Sequence, residues 1–365
     1  MKRIPAILFL FWIAFSCVYP YDIPEAGEET PYLVVDGSIV VGKEATLTLR
    51  HLNQSSRYLP DEWWVEDNTG VQYRPAQVKD AADLSKAPAD RSYRMVIKAD
   101  GKTYSTSLEK GMAPPRLDEI SFVADNSNVY VNVSLTEGEG GAGHVALSFE
   151  EVWRFHTLFM DFYEVQNIDD KWYVLERQDP DTTRYRCWRY AHTSKEVLVD
   201  LTNLNGTAKD FPLTSFSRKS EKNHENYNIK VSARSLSDAE YRFQKNIQTS
   251  VGGYNLFSPN PGEIAGNVRC EEEPTVPVMG YVTLSLASSR EAHLDGRYFI
   301  YTKIDKEGYD VPTQDQIPFY YLELVYRPLF EEGNEDGETT SIYWGPLRCV
   351  DCVADGGSLE KPSFK

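Results

Sequence analysis

The sequence predicts a mainly β protein: an N-terminal Ig-like or regulatory-like β-sandwich, then a larger β-rich domain with one prominent helix at about 237–251. Short segments alternate apolar and polar residues with a period of two, the mark of a strand with one buried face. Aromatic residues make up 13% of the 365 residues and Tyr, at 23 copies, leads them, as β structure favours. One segment carries a full helix-start signal, and a single helix among strands usually covers a sheet face or end.

The chain starts with an address. Lys2 and Arg3 precede an almost wholly apolar run from Ile4 to Phe15, interrupted at Pro5. The run is too short to span a bilayer, which takes about 20 residues, and fits a secretory signal. Ala14-Phe15-Ser16-Cys17 resembles a loose lipobox. Residues 1–16 therefore read as a lipoprotein signal peptide cut before Cys17, with Cys17 acylated by palmitate-type chains. The bland alternative is an ordinary signal peptide with an incidental cysteine. Each buried acyl CH₂ contributes about 0.8 kcal/mol, so several chains hold a soluble body at a membrane. Residues 17–31, rich in Pro and acids, read as an extended spacer.

Residues 32–110 are read as the sandwich. Leu33-Val34-Val35 and Ile39-Val40-Val41 flank Asp36-Gly37, a turn pair, and Asp100-Gly101 reads as a second turn. Pro114-Pro115 marks a stiff linker. In the second domain, 117–365, Val129, Val131, Val133 and Leu135 share one strand face, and Phe319 to Tyr326 reads as a strand. Ser237-Asp238-Ala239-Glu240 is a capping box, Ala239, Phe243 and Ile247 lie four apart on one helical face, and Gly252-Gly253 is the stop.

Charge excludes some partners. There are 38 basic against 55 acidic residues, net −17. Nucleic acid needs clustered Lys and Arg, and an acidic body is repelled by anionic lipid.

No signature of chemistry emerges. The sequence holds no His-Glu-x-x-His, no Gly-x-Ser-x-Gly elbow, no P-loop and no dinucleotide fingerprint. The six histidines, His51, His144, His156, His192, His224 and His293, each read as structural or surface. The expectation is no catalytic, metal-binding or cofactor-binding residue and no enzyme. Glu332-Gly333-Asn334-Glu335-Asp336-Gly337 mimics half a calcium loop, but Tyr343 stands where the closing Glu belongs, so a solvated loop is the reading. Glu150 and Glu151 are adjacent on a strand and point to opposite faces, which disfavours a shared site. Trp63, Trp64 and Trp153 are candidate ligand or partner aromatics, against the bland reading of core packing.

Cys187, Cys270, Cys349 and Cys352 are candidate disulfide cysteines, since an exported chain meets an oxidising compartment. Three pairings are open. Cys349-Val350-Asp351-Cys352 also admits a redox or zinc reading, though it sits in a tail without a βαβ unit or a second pair.

Several stretches resemble a known family. They are Tyr32-Leu33-Val34-Val35-Asp36-Gly37, Phe149-Glu150-Glu151-Val152-Trp153, Asn228 to Ser237, Phe257 to Ile264, Gly266-Asn267-Val268-Arg269-Cys270, Cys187-Trp188 and the tail from Cys349 to Phe364. Together they resemble a Bacteroidota lipoprotein family, domain of unknown function family 4249. The resemblance implies a cell outer-membrane lipoprotein that is accessory to a TonB-dependent receptor in nutrient uptake. A glycan or peptide ligand is a further expectation, since exposed aromatics can stack on sugar rings or anchor a protein partner. The resemblance carries over no catalytic residue. A structural or envelope-assembly lipoprotein is the alternative, and an unrecognised hydrolase a further one.

Overall fold

Alternation decides the first sheet. Strand β1 (Leu33–Val40) buries Leu33, Val35 and Ile39 and exposes Asp36. The predicted turn at Asp36-Gly37 does not form; the strand runs through it. A Cβ on Gly37 would lie 3.0 Å from Val282 and 3.3 Å from the Met95 sulfur, so this glycine serves close packing rather than chain reversal. The computed structural model describes residues 33–51, 56–141, 143–251, 266–296, 298, 306–334 and 338–364. The signal peptide, Cys17, the spacer, Gly252-Gly253, Phe257 to Ile264 and Glu335 to Gly337 lie outside the described residues.

β1 pairs antiparallel with β2 (Glu44–His51), which carries β5 (Ala82–Asp83), and parallel with β19 (Met279–Ser285). A second sheet runs β18 (Val268–Cys270), β7 (Lys102–Thr106), β6 (Ser92–Ala99), β3 (Glu62–Asp67) and β4 (Gln72–Tyr73), with β8 (Glu109–Lys110) also on β6. Asp100-Gly101 makes the β6–β7 turn as the sequence predicts. One core, including Val35, Leu49, Trp63, Tyr93 and Ile97, joins the two sheets. The first sandwich is therefore not confined to 32–110. β18 and β19, far along the chain, complete it and cover edges that β7 and β1 would otherwise leave unpaired.

The second sandwich pairs two further sheets. One runs β16 (Thr207–Ser217), β10 (Asn128–Thr136), β9 (Arg116–Ala124). The other runs β14 (Arg186–His192), β11 (His144–His156), β17 (Asn226–Leu236), β20 (Ala287–Asp295), with β15 (Val197–Asp200) on β11. The predicted β10 face, Val129 to Leu135 at every second residue, is fully buried against Val145, Leu147, Ile229 and Val231. At the edge of this core Lys222 Nζ donates to both Glu151 carboxylate oxygens at 2.7 Å, and the Tyr227 hydroxyl donates to Glu151 at 2.6 Å.

Helix α1 (Asp238–Val251) starts where the capping signal places it, and Ser237 Oγ accepts from the Glu240 amide at 3.2 Å. Glu240 does not reach back to Ser237 to close the box. Its carboxylate accepts from Arg234, whose guanidinium also grips Glu196 at 2.8 and 2.6 Å. That pull turns Glu240 and Phe243 inward and leaves Ala239 and Ile247 exposed, so the predicted apolar face is only partly buried. Phe243 meets Tyr281 of β19 with ring centroids 4.8 Å apart, so α1 ties the sandwiches together.

Two hairpins form a third layer: β12 (Asp161–Ile168) with β13 (Lys171–Asp181), and β21 (Tyr326–Gly333) with β22 (Thr339–Pro346). Their small core holds Phe159, Leu329 and Val350. The predicted strand at 319–326 is instead a wide helical turn, Phe319–Glu323, closed by Leu324 N–H donating to the Phe319 carbonyl at 3.1 Å.

Candidate functional site

The three predicted tryptophans are core residues. Trp63 is 1% exposed and its indole N–H donates to the Val78 carbonyl at 2.9 Å. Trp64, 7% exposed, is covered by the Arg74 guanidinium 4.2 Å from its ring centre. Trp153, 6% exposed, donates to Glu221 at 3.1 Å. None of them offers a face on which a ligand ring could stack.

The four predicted disulfide cysteines divide. Cys187 of β14 and Cys352 of the tail are bonded, with Cα atoms 5.7 Å apart. Cys270 is buried in β18 within the other sandwich, beyond reach of that pair, and Cys349 is likewise free. Burial pushes the Cys349 thiol up, the opposite of what a redox Cys-x-x-Cys needs. Around the disulfide the tail is clasped to β14. Trp188 and Ser358 exchange backbone hydrogen bonds at 2.7 and 2.9 Å, and Arg184 donates to Asp351 at 2.8 Å. Gly357 permits this: a Cβ there would lie 2.5 Å from Cys187 Cβ.

The histidines have structural neighbours. His144 stacks on Tyr241 at 4.0 Å, and His156 lies between Tyr185 and His224 at 5.2 and 4.4 Å. Burial, and next the neighbouring His156 ring, press the His224 imidazole down from 6.5 to about 4; the hydrogen bond with the His156 backbone and then the Glu225 charge oppose. The folded state therefore binds fewer protons than the unfolded chain between those values. Stability present above pH 6.5 is lost as pH falls toward 4. We predict that His224→Gln flattens this loss, a difference of about 2 kcal/mol between pH 7 and pH 4.5, read from denaturant midpoints at each pH.

The half calcium loop is engaged otherwise. Glu332 accepts from Lys306 at 2.6 Å and from the Tyr343 hydroxyl at 2.9 Å. Among the described residues no group of three or more His, Cys, Asp or Glu is placed to hold a metal, and no helix is long and apolar enough to cross a membrane.

The strongest surface feature is one the sequence did not suggest. Apolar side chains crowd the exterior of the third layer. On the first hairpin Phe162, Ile168, Tyr173 and Leu175 are exposed. On the neighbouring segment Phe319 is 54% and Leu322 57% exposed, with Leu324 and Val325 beside them. The two groups are in contact. Trp172 lies 5.8 Å from Tyr321, and the Gln314 amide donates to the Trp172 carbonyl. A groove of about 380 Å³ runs between Tyr173 and Val311, with Trp344 in its wall.

Beneath, Phe330 stacks between Phe159 and Tyr343 at 5.4 and 4.7 Å and holds the hairpins together. The Arg327 guanidinium lies 4.1 Å over Tyr321. Burial raises the Asp161 carboxyl at the hairpin base above its ordinary value, although Arg177 at 3.9 Å opposes. Val325 sits at φ 54°, a left-handed conformation that a β-branched residue resists. Strain of this kind persists only where the surroundings fix it, and it collects at binding sites. A two-stranded hairpin with apolar residues on both faces cannot bury both within one small layer.

No curated protein matches the chain. Residues 18–291, most of its length, match the family model described as "Domain of unknown function (DUF4249)", and the chain belongs to that family.

Proposed function

We propose that the chain is an acyl-anchored lipoprotein of the outer membrane that acts by binding, as an accessory to a TonB-dependent receptor in nutrient uptake. The observation that carries the reading is the apolar exterior formed by the β12–β13 hairpin and the neighbouring segment 319–325. Its composition, Phe, Tyr, Trp and Leu with Arg327 at hand, is that of the centre of a protein interface. The net charge of −17, which signal cleavage makes more negative by removing Lys2 and Arg3, favours a protein occupant over anionic lipid. Cys17 holds the body at the membrane, and the spacer gives it reach to a neighbour in the same leaflet.

Affinity purification from detergent-solubilised membranes tests the docking. The tagged wild-type protein brings down an outer-membrane barrel receptor. Phe319→Asp with Leu322→Asp lowers recovery about tenfold or more, because exposed side chains of this kind are interface anchors and not supports of the fold. Recovery without a barrel, or recovery unchanged by the double substitution, contradicts the reading and favours an envelope-assembly role.

A further inference from the structure

We propose that the cleft between the two sandwiches is a binding site for a small neutral polyol, of the size of one sugar ring. The cleft has a volume of about 240 Å³. One wall is the outer face of the first sandwich, with Ser38 and Val40 of β1 and Ser285 of β19. The other is the outer face of β11 and β17. There the register sets Ser148 directly opposite Ser232 and Ala146 opposite Arg234, with Ala287 on the far side of Arg234. The small side chains of Ala146, Ser148, Ser232 and Ala287 create the space; two packed sheets with ordinary side chains would fill it.

The chemistry of the walls selects the ligand. Their charges are already matched. Arg234 donates to Glu196 at 2.8 and 2.6 Å and also to Glu240. Glu150 accepts from the Tyr190 hydroxyl at 2.9 Å and faces Lys230 at 3.8 Å. At the mouth Lys43 and Glu44 are neighbours of opposite sign. What is left unmatched is a hydroxyl. Ser285 is 1% exposed, lines the cleft, and its Oγ has no hydrogen-bond partner. A buried hydroxyl in that state is costly until something completes it. An ion would need a counter-charge that these walls do not offer. A neutral molecule bearing both donors and acceptors finds serine hydroxyls, carboxylate lone pairs and small apolar patches in one space. The site stands apart from the hairpin lobe, so it holds or fails independently of receptor docking.

Calorimetric titration of the purified full mature protein in detergent tests it. The probes are glucose, galactose, mannose and N-acetylglucosamine, with inorganic phosphate and methylammonium as charged controls. The expected result is saturable binding of at least one sugar and of neither control. Ser148→Leu fills the cleft and abolishes that binding. Ser285→Ala weakens it about threefold to tenfold. The same substitution leaves the thermal midpoint unchanged or raised, because it removes a hydroxyl that bonds nothing in the fold. A merely structural serine would not separate those two readouts. Where Ser148→Leu fails to fold, Ser285→Ala decides alone. Binding of none of the four sugars, binding of a charged control, or an affinity unmoved by Ser285→Ala overturns the proposal.

Discussion

Replacing Cys187 or Cys352 by serine will release the C-terminal tail from β14 and lower stability by about 2–5 kcal/mol. The bond joins residues separated by 165 positions, so it removes a large loop from the unfolded ensemble. The local partners will not compensate. The Arg184–Asp351 pair is largely solvent-exposed on its arginine side, and exposed ion pairs contribute little. The tail also carries Val350, which belongs to the small core of the third layer, so loosening it will loosen the hairpin lobe as well. Denaturant unfolding with and without reductant, alongside limited proteolysis, measures this. The serine variants will match the reduced wild type, and cleavage will appear first near the tail. A serine variant as stable and as protease-resistant as the oxidised wild type would show that the clasp is incidental.

Lys222→Met will cost a comparable amount, about 3–5 kcal/mol, for a different reason. It leaves Glu151, a buried carboxylate, without its cation and beside the fully buried Tyr227. An uncompensated buried charge is the expensive state, not the loss of the pair itself. The double variant Lys222→Met with Glu151→Gln, which removes the charge and keeps an acceptor for Tyr227, should therefore recover much of the loss. Tyr227 sharpens the effect: burial first, and then the Glu151 charge, push its phenol well above 10.0, so it stays a proton donor that needs an acceptor. Midpoints for the two single variants and the double variant form the cycle that measures the coupling. Simple additivity would contradict this account of the network.

Local signals in the sequence carried far. The turn at Asp100-Gly101 and the helix start at Ser237 appear where local chemistry puts them, because each rests on contacts within a few residues, and the period of two around Val129 to Leu135 marks its buried face whatever the distant partner. What the sequence could not show depends on distant partners. Gly37 looked like half a turn until Met95 and Val282 stood against it. β18 and β19 looked like parts of the second domain, since nothing local says that a strand at 268 pairs with one at 104. Glu240 left its capping role for Arg234, a choice made by burial.

The surface features were hidden for the same reason. Trp63, Trp64 and Trp153 are conspicuous as residue types, but conspicuous aromatics are most often core. The lobe residues Tyr173, Leu175, Phe319 and Leu322 belong to apolar, strand-like stretches of the sequence and are exposed in the fold. The available signal was Trp172-Tyr173-Val174-Leu175, apolar at four successive positions of a strand that has one partner strand. Cysteine pairing was illegible because it depends on where β14 and the tail meet.

The proposed attachment of the body to the envelope at Cys17 is tested most directly by the mass of the N-terminal peptide from protein isolated in the membrane fraction. The expected peptide begins at Cys17 and carries the mass of several fatty acyl chains. A mature chain that begins elsewhere, or a Cys17 peptide of unmodified mass, would contradict the attachment.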